Sequence, residues 1–96
     1  MKPFNWNSEK NIRLKSERGV SFEEVLAAIA HGALLNVVEH QNKEQYPNQR
    51  MFVVRICGYA YLVLFVETNE EVFLKTIIPS RNATRRYLTG ENDNEN

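Results

Sequence analysis

The chain has 96 residues, 43% hydrophobic and 25% charged, and its twelve basic and twelve acidic side chains cancel to a formal net charge of zero. That length encloses one hydrophobic core, and the balanced charge excludes an indiscriminate binder of polyanions. The lone Cys57 excludes an internal disulfide, no apolar run of the signal-peptide kind opens the sequence, and the longest apolar stretch, Tyr59 to Val66, falls far short of the roughly 20 residues of a membrane helix.

A single domain over residues 1–96, in the cytoplasm and not in a membrane, is the expectation. Phe4 and Trp6 read as anchors near the start of the chain. Asn7 is placed to cap a polar helix over about residues 8 to 18, and Gly19 to close it in the left-handed conformation. Only Ile12 and Leu14 are apolar in that helix, so it lies on the surface and presents Lys10, Arg13, Lys15 and Arg18 to solvent or to a ligand. Ser21 and Glu24 then form a capping box, with Val20 stapled onto Val25 across it. Phe22, Val25, Leu26 and Ile29 follow the spacing of one buried helical stripe, which Gly32 ends after His31.

A first strand is predicted over Leu34 to Glu39, followed by a long polar loop from His40 to Asn48. Strands over Gln49 to Cys57, Tyr59 to Glu67 and Val72 to Ile78 follow, joined by turns at Gly58 and at Thr68-Asn69-Glu70, so they form an antiparallel meander. The third strand is apolar on both faces, which makes it central and in need of cover on each side. Pro79 stops the last strand, because proline has no N–H to give the ladder, and Ser80 caps a short helix over about Arg81 to Leu88 that Gly90 ends. The fold class expected is α+β: two N-terminal helices, an antiparallel sheet of three to four strands and a short C-terminal helix.

The charges are unevenly placed. Lys75, Arg81, Arg85 and Arg86 fall between Lys75 and Leu88 with no acid among them, whereas Glu91, Asp93 and Glu95 make residues 90–96 a flexible acidic tail that reads as a solvated end. The side chains able to act on a phosphodiester are Arg50, Arg55, Lys75, Arg81, Arg85, Arg86 and Tyr87, drawn from the sheet and the last helix. Lys75, flanked in alternation by Phe73 and Ile77, is placed as a cation on an otherwise apolar face. Metal-free RNA cleavage needs a base for the 2′-hydroxyl, cations for the charge growing on the phosphate and an acid for the leaving oxygen, and Lys, Arg and Tyr can fill those roles. His31 reads as a helix-end residue favourable to the helix dipole, His40 as a loop residue, and Cys57 as a small buried hydrophobe. Their spacing is not that of a metal site, and neither metal nor cofactor is proposed.

The string Phe4-Asn5-Trp6-Asn7, then Lys10-Asn11, Gly19-Val20-Ser21-Phe22-Glu23-Glu24, Arg50, Gly58 and Ile77-Ile78-Pro79-Ser80-Arg81-Asn82-Ala83 resembles the BrnT family across nearly the whole chain. The resemblance implies a small RelE-like ribonuclease toxin of a bacterial type II toxin–antitoxin module. Such a toxin cleaves RNA to inhibit growth, and a co-encoded antitoxin that also binds DNA neutralises it in a hetero-oligomer. Carried over by position, catalytic weight falls on Arg50, on Lys75 where the family usually has arginine, and on Arg81, which are expected to converge on one phosphate-sized pocket. Lys10, Arg18, Arg55, Arg85, Arg86 and Tyr87 are the accompanying RNA-binding residues. The chain departs from the family at Arg18, where histidine is typical, and at Pro79, where a small residue is usual. An always-protonated guanidinium replaces an imidazole acid or base badly. The departure implies, as one alternative, an attenuated toxin that only binds its antitoxin; the central strand's need for cover on both faces and the exposed first helix suggest another, a non-catalytic module that binds a small protein partner.

Overall fold

The computed structural model describes residues 2–39, 42, 44, 45 and 48–89. The chain runs β1 (Phe4–Trp6), α1 (Ser8–Arg18), α2 (Phe22–Ala30), β2 (Leu34–Glu39), β3 (Gln49–Ile56), β4 (Tyr59–Glu67), β5 (Val72–Pro79) and α3 (Arg81–Thr84), the last continuing as a π-helical turn over Arg85–Thr89. One sheet holds all five strands in the order β1-β5-β4-β3-β2.

The architecture is α+β, but the expected antiparallel sheet of three to four strands is corrected to five strands in a mixed sheet. Phe4–Trp6 is a strand and not merely a pair of anchors, and it runs parallel to β5, with Phe4 opposite Val72 and Trp6 opposite Leu74. Three residues are too few to show alternation, and their partner lies near the other end of the chain, so local pattern cannot reveal the pairing. The Val72 N–H donates to the Pro3 carbonyl at 2.9 Å and the Asn5 amide donates to the Glu71 carboxylate at 2.7 Å, which fastens the short strand at its entry.

The two N-terminal helices form where their capping residues place them. Asn7 accepts from the Lys10 N–H at 2.9 Å, and Gly19 takes a φ of 74° at the end of α1, a conformation that costs glycine little. Ser21 Oγ accepts from the Glu24 N–H at 3.3 Å, while the Glu24 carboxylate is paired with Lys15. The Phe22 N–H is taken by Asn11 Oδ1 at 2.7 Å, so α1 itself supplies an acceptor to the first turn of α2.

Both helices cover one face of the sheet. Leu14, Phe22 and Val25 pack there against Val54, Val63, Phe65, Leu74 and Ile77, with Trp6 stacked on Phe22 at 5.6 Å and Phe52 on Phe65 at 3.9 Å. The other face carries Val53, Ala60 and Leu62, and α3 with the following turn covers it through Ala83, Tyr87 and Leu88. β4 is the central strand, apolar to both sides as its sequence requires. Ser80 caps α3 by accepting from the Ala83 N–H at 3.0 Å, and Pro79 is the last paired residue of β5.

Three local expectations change. Cys57 is neither buried nor in a strand. It is exposed in the two-residue turn with Gly58, and the φ values of 53° and 77° at the two positions are those of the hairpin turn whose twist matches that of the strands. Lys75 sits where β5 shifts register, between the pairings Phe65 with Leu74 and Leu64 with Thr76. The extra residue breaks the alternation, so Ile77 joins the helix-side core instead of sharing a face with Phe73. The last helix is α-helical for one turn and then widens. Most of the loop at 40–48, with His40, and the tail at 90–96 lie outside the described residues.

Phe65 is 1% exposed and stacked on Phe52. Phe65→Ala is expected to lower the unfolding free energy by about 3–5 kcal/mol, read from urea melts. Cys57→Asn, which suits the left-handed conformation better, should raise it by about 0.5–1 kcal/mol in the same measurement.

Candidate nucleic-acid interface

β4 gives the distances their scale. Ala60 lies at its start and Glu67 at its end, about 23 Å apart at roughly 3.3 Å per residue. The last helix is held at the Ala60 end, where the Ala60 carbonyl accepts from the Ser80 N–H at 3.0 Å and the Ala60 N–H donates to Thr84 Oγ1 at 2.9 Å. Arg50 stands at the opposite end, level with Phe65 on β4 and Glu39 on β2.

Arg50 is tied down. Its guanidinium lies 5.1 Å from the centre of the Phe65 ring and pairs with one oxygen of Glu67, whose other oxygen accepts from Lys2 Nζ at 2.7 Å. Hydrogen bonding from Lys2, joined by the charges of Lys2 and Arg50, holds the Glu67 carboxyl below the usual glutamate range. The sequence offers Glu67 or Glu39 as partners for Lys75, but Glu67 is taken by Lys2 and Arg50, a pairing nothing local announces because Lys2 lies 65 residues away. Lys75 is exposed, with its ammonium 5.9 Å from the Phe73 ring centre. It therefore lies on the face away from α1 and α2, since its neighbour Leu74 is buried beneath those helices.

A different set gathers at the Ala60 end. Arg81 and Arg85, one turn apart, line a shallow depression with Thr84 and Thr89, and Arg85 donates to Asn82 Oδ1 at 3.2 Å. Arg55 is exposed on β3 directly across from Ala60. Arg18, in the last turn of α1, donates through its guanidinium to the Ile77 carbonyl of β5, two residues before the end of that strand. Arg86 turns to the sheet face away from α1 and α2, 5.9 Å from the Tyr87 ring, in a groove floored by Val38, Met51, Val53 and Leu62. The Tyr87 hydroxyl accepts from the Asn36 amide at 2.9 Å, so this residue fastens the last helix to β2. Lys10, in the first turn of α1, is about 12 Å along the helix from Arg18 at roughly 1.5 Å per residue and stands apart from the group.

The expected convergence of Arg50, Lys75 and Arg81 on one pocket is thus not found. The first is at one end of the sheet on the helix side, the second is on the opposite face, and the third is at the other end. What the fold does place together is Arg81 with Arg85, in one shallow depression; Arg55 instead lines a depression with Lys15, Glu24 and His31, and Arg18 reaches Ile77, which pairs with Val63 at the middle of β4. Planar, permanently charged guanidinium groups can hold phosphate oxygens in pairs, but none of them can accept a proton. His31, at the end of α2, has Nδ1 2.8 Å from the Ala27 carbonyl and is thereby oriented along its own helix. Among the described residues no group of three or more His, Cys, Asp or Glu side chains is placed to hold a metal ion, and no helix is long and apolar enough to cross a membrane.

Comparison of the chain with protein-family models, with curated proteins and with solved structures yields no match in any of the three. The likeness to BrnT toxins therefore rests on the residues quoted for it.

Because the Glu67 carboxyl is easier to ionise in the folded chain than in the unfolded one, its pairing stabilises the fold above the ordinary carboxylate range. That contribution is lost as pH falls through and below that range. The difference in unfolding free energy between the native chain and Glu67→Gln should accordingly be largest near neutral pH and shrink on acidification below about pH 4, measured by urea melts across pH.

Proposed function

We propose that this chain is a BrnT-like toxin, the RNA-directed half of a bacterial type II toxin–antitoxin module that works in the cytoplasm and is neutralised by a co-encoded, DNA-binding antitoxin. The observation that carries the reading is the pair Arg81 and Arg85 in one depression on the last helix, together with the absence of any acidic side chain in the sequence from Val72 to Thr89. A single strand of RNA offers a row of phosphates, and two guanidinium groups one helical turn apart present partners for it. Arg81 stands on a capped turn whose N-cap and backbone bonds to Ala60 fix its position, so it is the residue given most weight.

Arg50 supports this role less, since it is committed to Glu67, and Lys75 serves another face. In such an arrangement the arginines hold the phosphodiester and offset the negative charge that grows on it during cleavage by the neighbouring 2′-hydroxyl. A second reading, a module that binds RNA or its protein partner without cutting, is favoured by one feature: the guanidinium groups of Arg81 and Arg85 cannot take the proton from that hydroxyl.

Expression of the chain without its antitoxin should arrest bacterial growth, and the purified protein should cut transcripts and bind single-stranded RNA. Binding should weaken with salt at a log-log slope of about 0.7 per phosphate contact. Arg81→Ala should keep the native circular dichroism spectrum, lower RNA affinity and reduce the slope by about one contact. Binding without cleavage would select the second reading, and binding unchanged by Arg81→Ala would remove Arg81 and Arg85 from the function.

A further inference from the structure

Cutting RNA at its 2′-hydroxyl requires a group that takes a proton, which neither Arg81 nor Arg85 can do. A second depression, of about 590 Å³, is lined by His31, Arg55, Lys15, Glu24 and Cys57. It lies at the end of the sheet where β3 turns into β4, the same end that holds the start of α3, since Arg55 is opposite Ala60 and the Ala60 carbonyl accepts from the Ser80 N–H.

Backbone bonds fix the end of α2 against the end of β3. The Ala33 carbonyl accepts from the Arg55 N–H at 3.0 Å, and the Ala33 N–H donates to the Ala28 carbonyl at 2.8 Å. His31 and Arg55 are both exposed, so a strand of RNA can reach them. Lys15 and Glu24 offset each other as an ion pair, and the charge that the depression presents is therefore that of Arg55. The imidazole is held in the form a base requires. His31 Nδ1 lies 2.8 Å from the Ala27 carbonyl oxygen, which can only accept, so Nδ1 carries the proton of the neutral ring. The lone pair is then on Nε2, the ring nitrogen farther from the backbone.

We infer that His31 is the general base of RNA cleavage by this chain and Arg55 the cation that holds the phosphate being cut, an inference that rests on the RNA-cleaving reading and supplies its proton acceptor. Nε2 takes the 2′-hydroxyl proton as the 2′-oxygen bonds to phosphorus, and the bond from phosphorus to the 5′-oxygen breaks. The departing oxygen takes a proton from water, and the imidazolium returns its own to solvent. The products are a 2′,3′-cyclic phosphate and a 5′-hydroxyl end. Arg55 offsets the charge that grows on the non-bridging oxygens, while Arg81 and Arg85 hold a neighbouring part of the strand.

Binding and cutting of a short single-stranded RNA, measured separately on the purified full chain, test the assignment. The native chain should leave 2′,3′-cyclic phosphate ends. His31→Ala should keep the native circular dichroism spectrum and bind within about twofold of the native chain, yet cut about 10²- to 10⁴-fold more slowly. His31→Gln, which keeps a polar side chain at the helix end, should behave alike. Free imidazole should restore part of the rate to His31→Ala, which a merely structural role would not allow. Arg55→Ala should slow cutting by about 10²- to 10³-fold. Cutting at the native rate by His31→Ala or by Arg55→Ala overturns the inference and leaves the RNA-cleaving reading standing, as does a His31→Ala loss that imidazole does not restore. RNA bound but never cut by the native chain overturns the inference and selects the non-cutting module, and RNA neither bound nor cut removes both.

Discussion

The burial of β4 on both faces is the constraint on which the rest of the structure depends. Val63 and Phe65 point to one side and Ala60 and Leu62 to the other, and each pair must be shielded from water by a separate layer. The first layer, α1 and α2, is built from the sequence before β4, and the second, α3 with its π-helical turn, from the sequence after β5. Because the second layer is short, it reaches only the Ala60 end, where Thr84 and Ser80 claim both backbone groups of Ala60. Arg81 and Arg85 are therefore delivered to that end of the sheet, while Arg86 lies over the face that the helix covers.

The electrostatics follow from the same geometry. A neutral chain has been divided into two neighbourhoods. At the Glu67 end the cations Lys2 and Arg50 are matched by a carboxylate, and on the last helix Arg81 and Arg85 share one depression in a stretch of sequence without acids. Matched charges stiffen a surface, and guanidinium groups set close together attract an anion. Arg18 shows how the two roles can overlap. Its bond to the Ile77 carbonyl fastens α1 to β5 while its guanidinium keeps a full positive charge.

Much of this was legible in the sequence wherever the signal was local. Asn7, Gly19, Ser21 and Gly58 mark the ends of α1, the start of α2 and the β3–β4 turn because each residue satisfies its neighbours' backbone within four positions. Alternation and doubly apolar character likewise marked β4 as central. What was hidden depended on distant partners: the parallel pairing of Phe4–Trp6 with β5, the Lys2 and Glu67 contact, and the Asn36 bond to Tyr87. The displaced Lys75 belongs with these, since a single extra residue in β5 changes which face a side chain takes, and nothing in the run Val72 to Pro79 announces it. Cys57 was misread for a simpler reason: cysteine is commonly buried, and only the hairpin geometry shows that it is half of a two-residue turn.

The clasp of β1 on β5 also orders events while the chain is being made. The first strand leaves the ribosome early, yet its only strand partner is almost the last to appear, and β5 in turn is wedged between β1 and β4. Until the residues around Val72 to Leu74 emerge, Phe4 and Trp6 have helices beside them but no strand to join. β1 therefore joins the sheet late, with β5, and a copy truncated before Ser80 lacks Arg81 and Arg85.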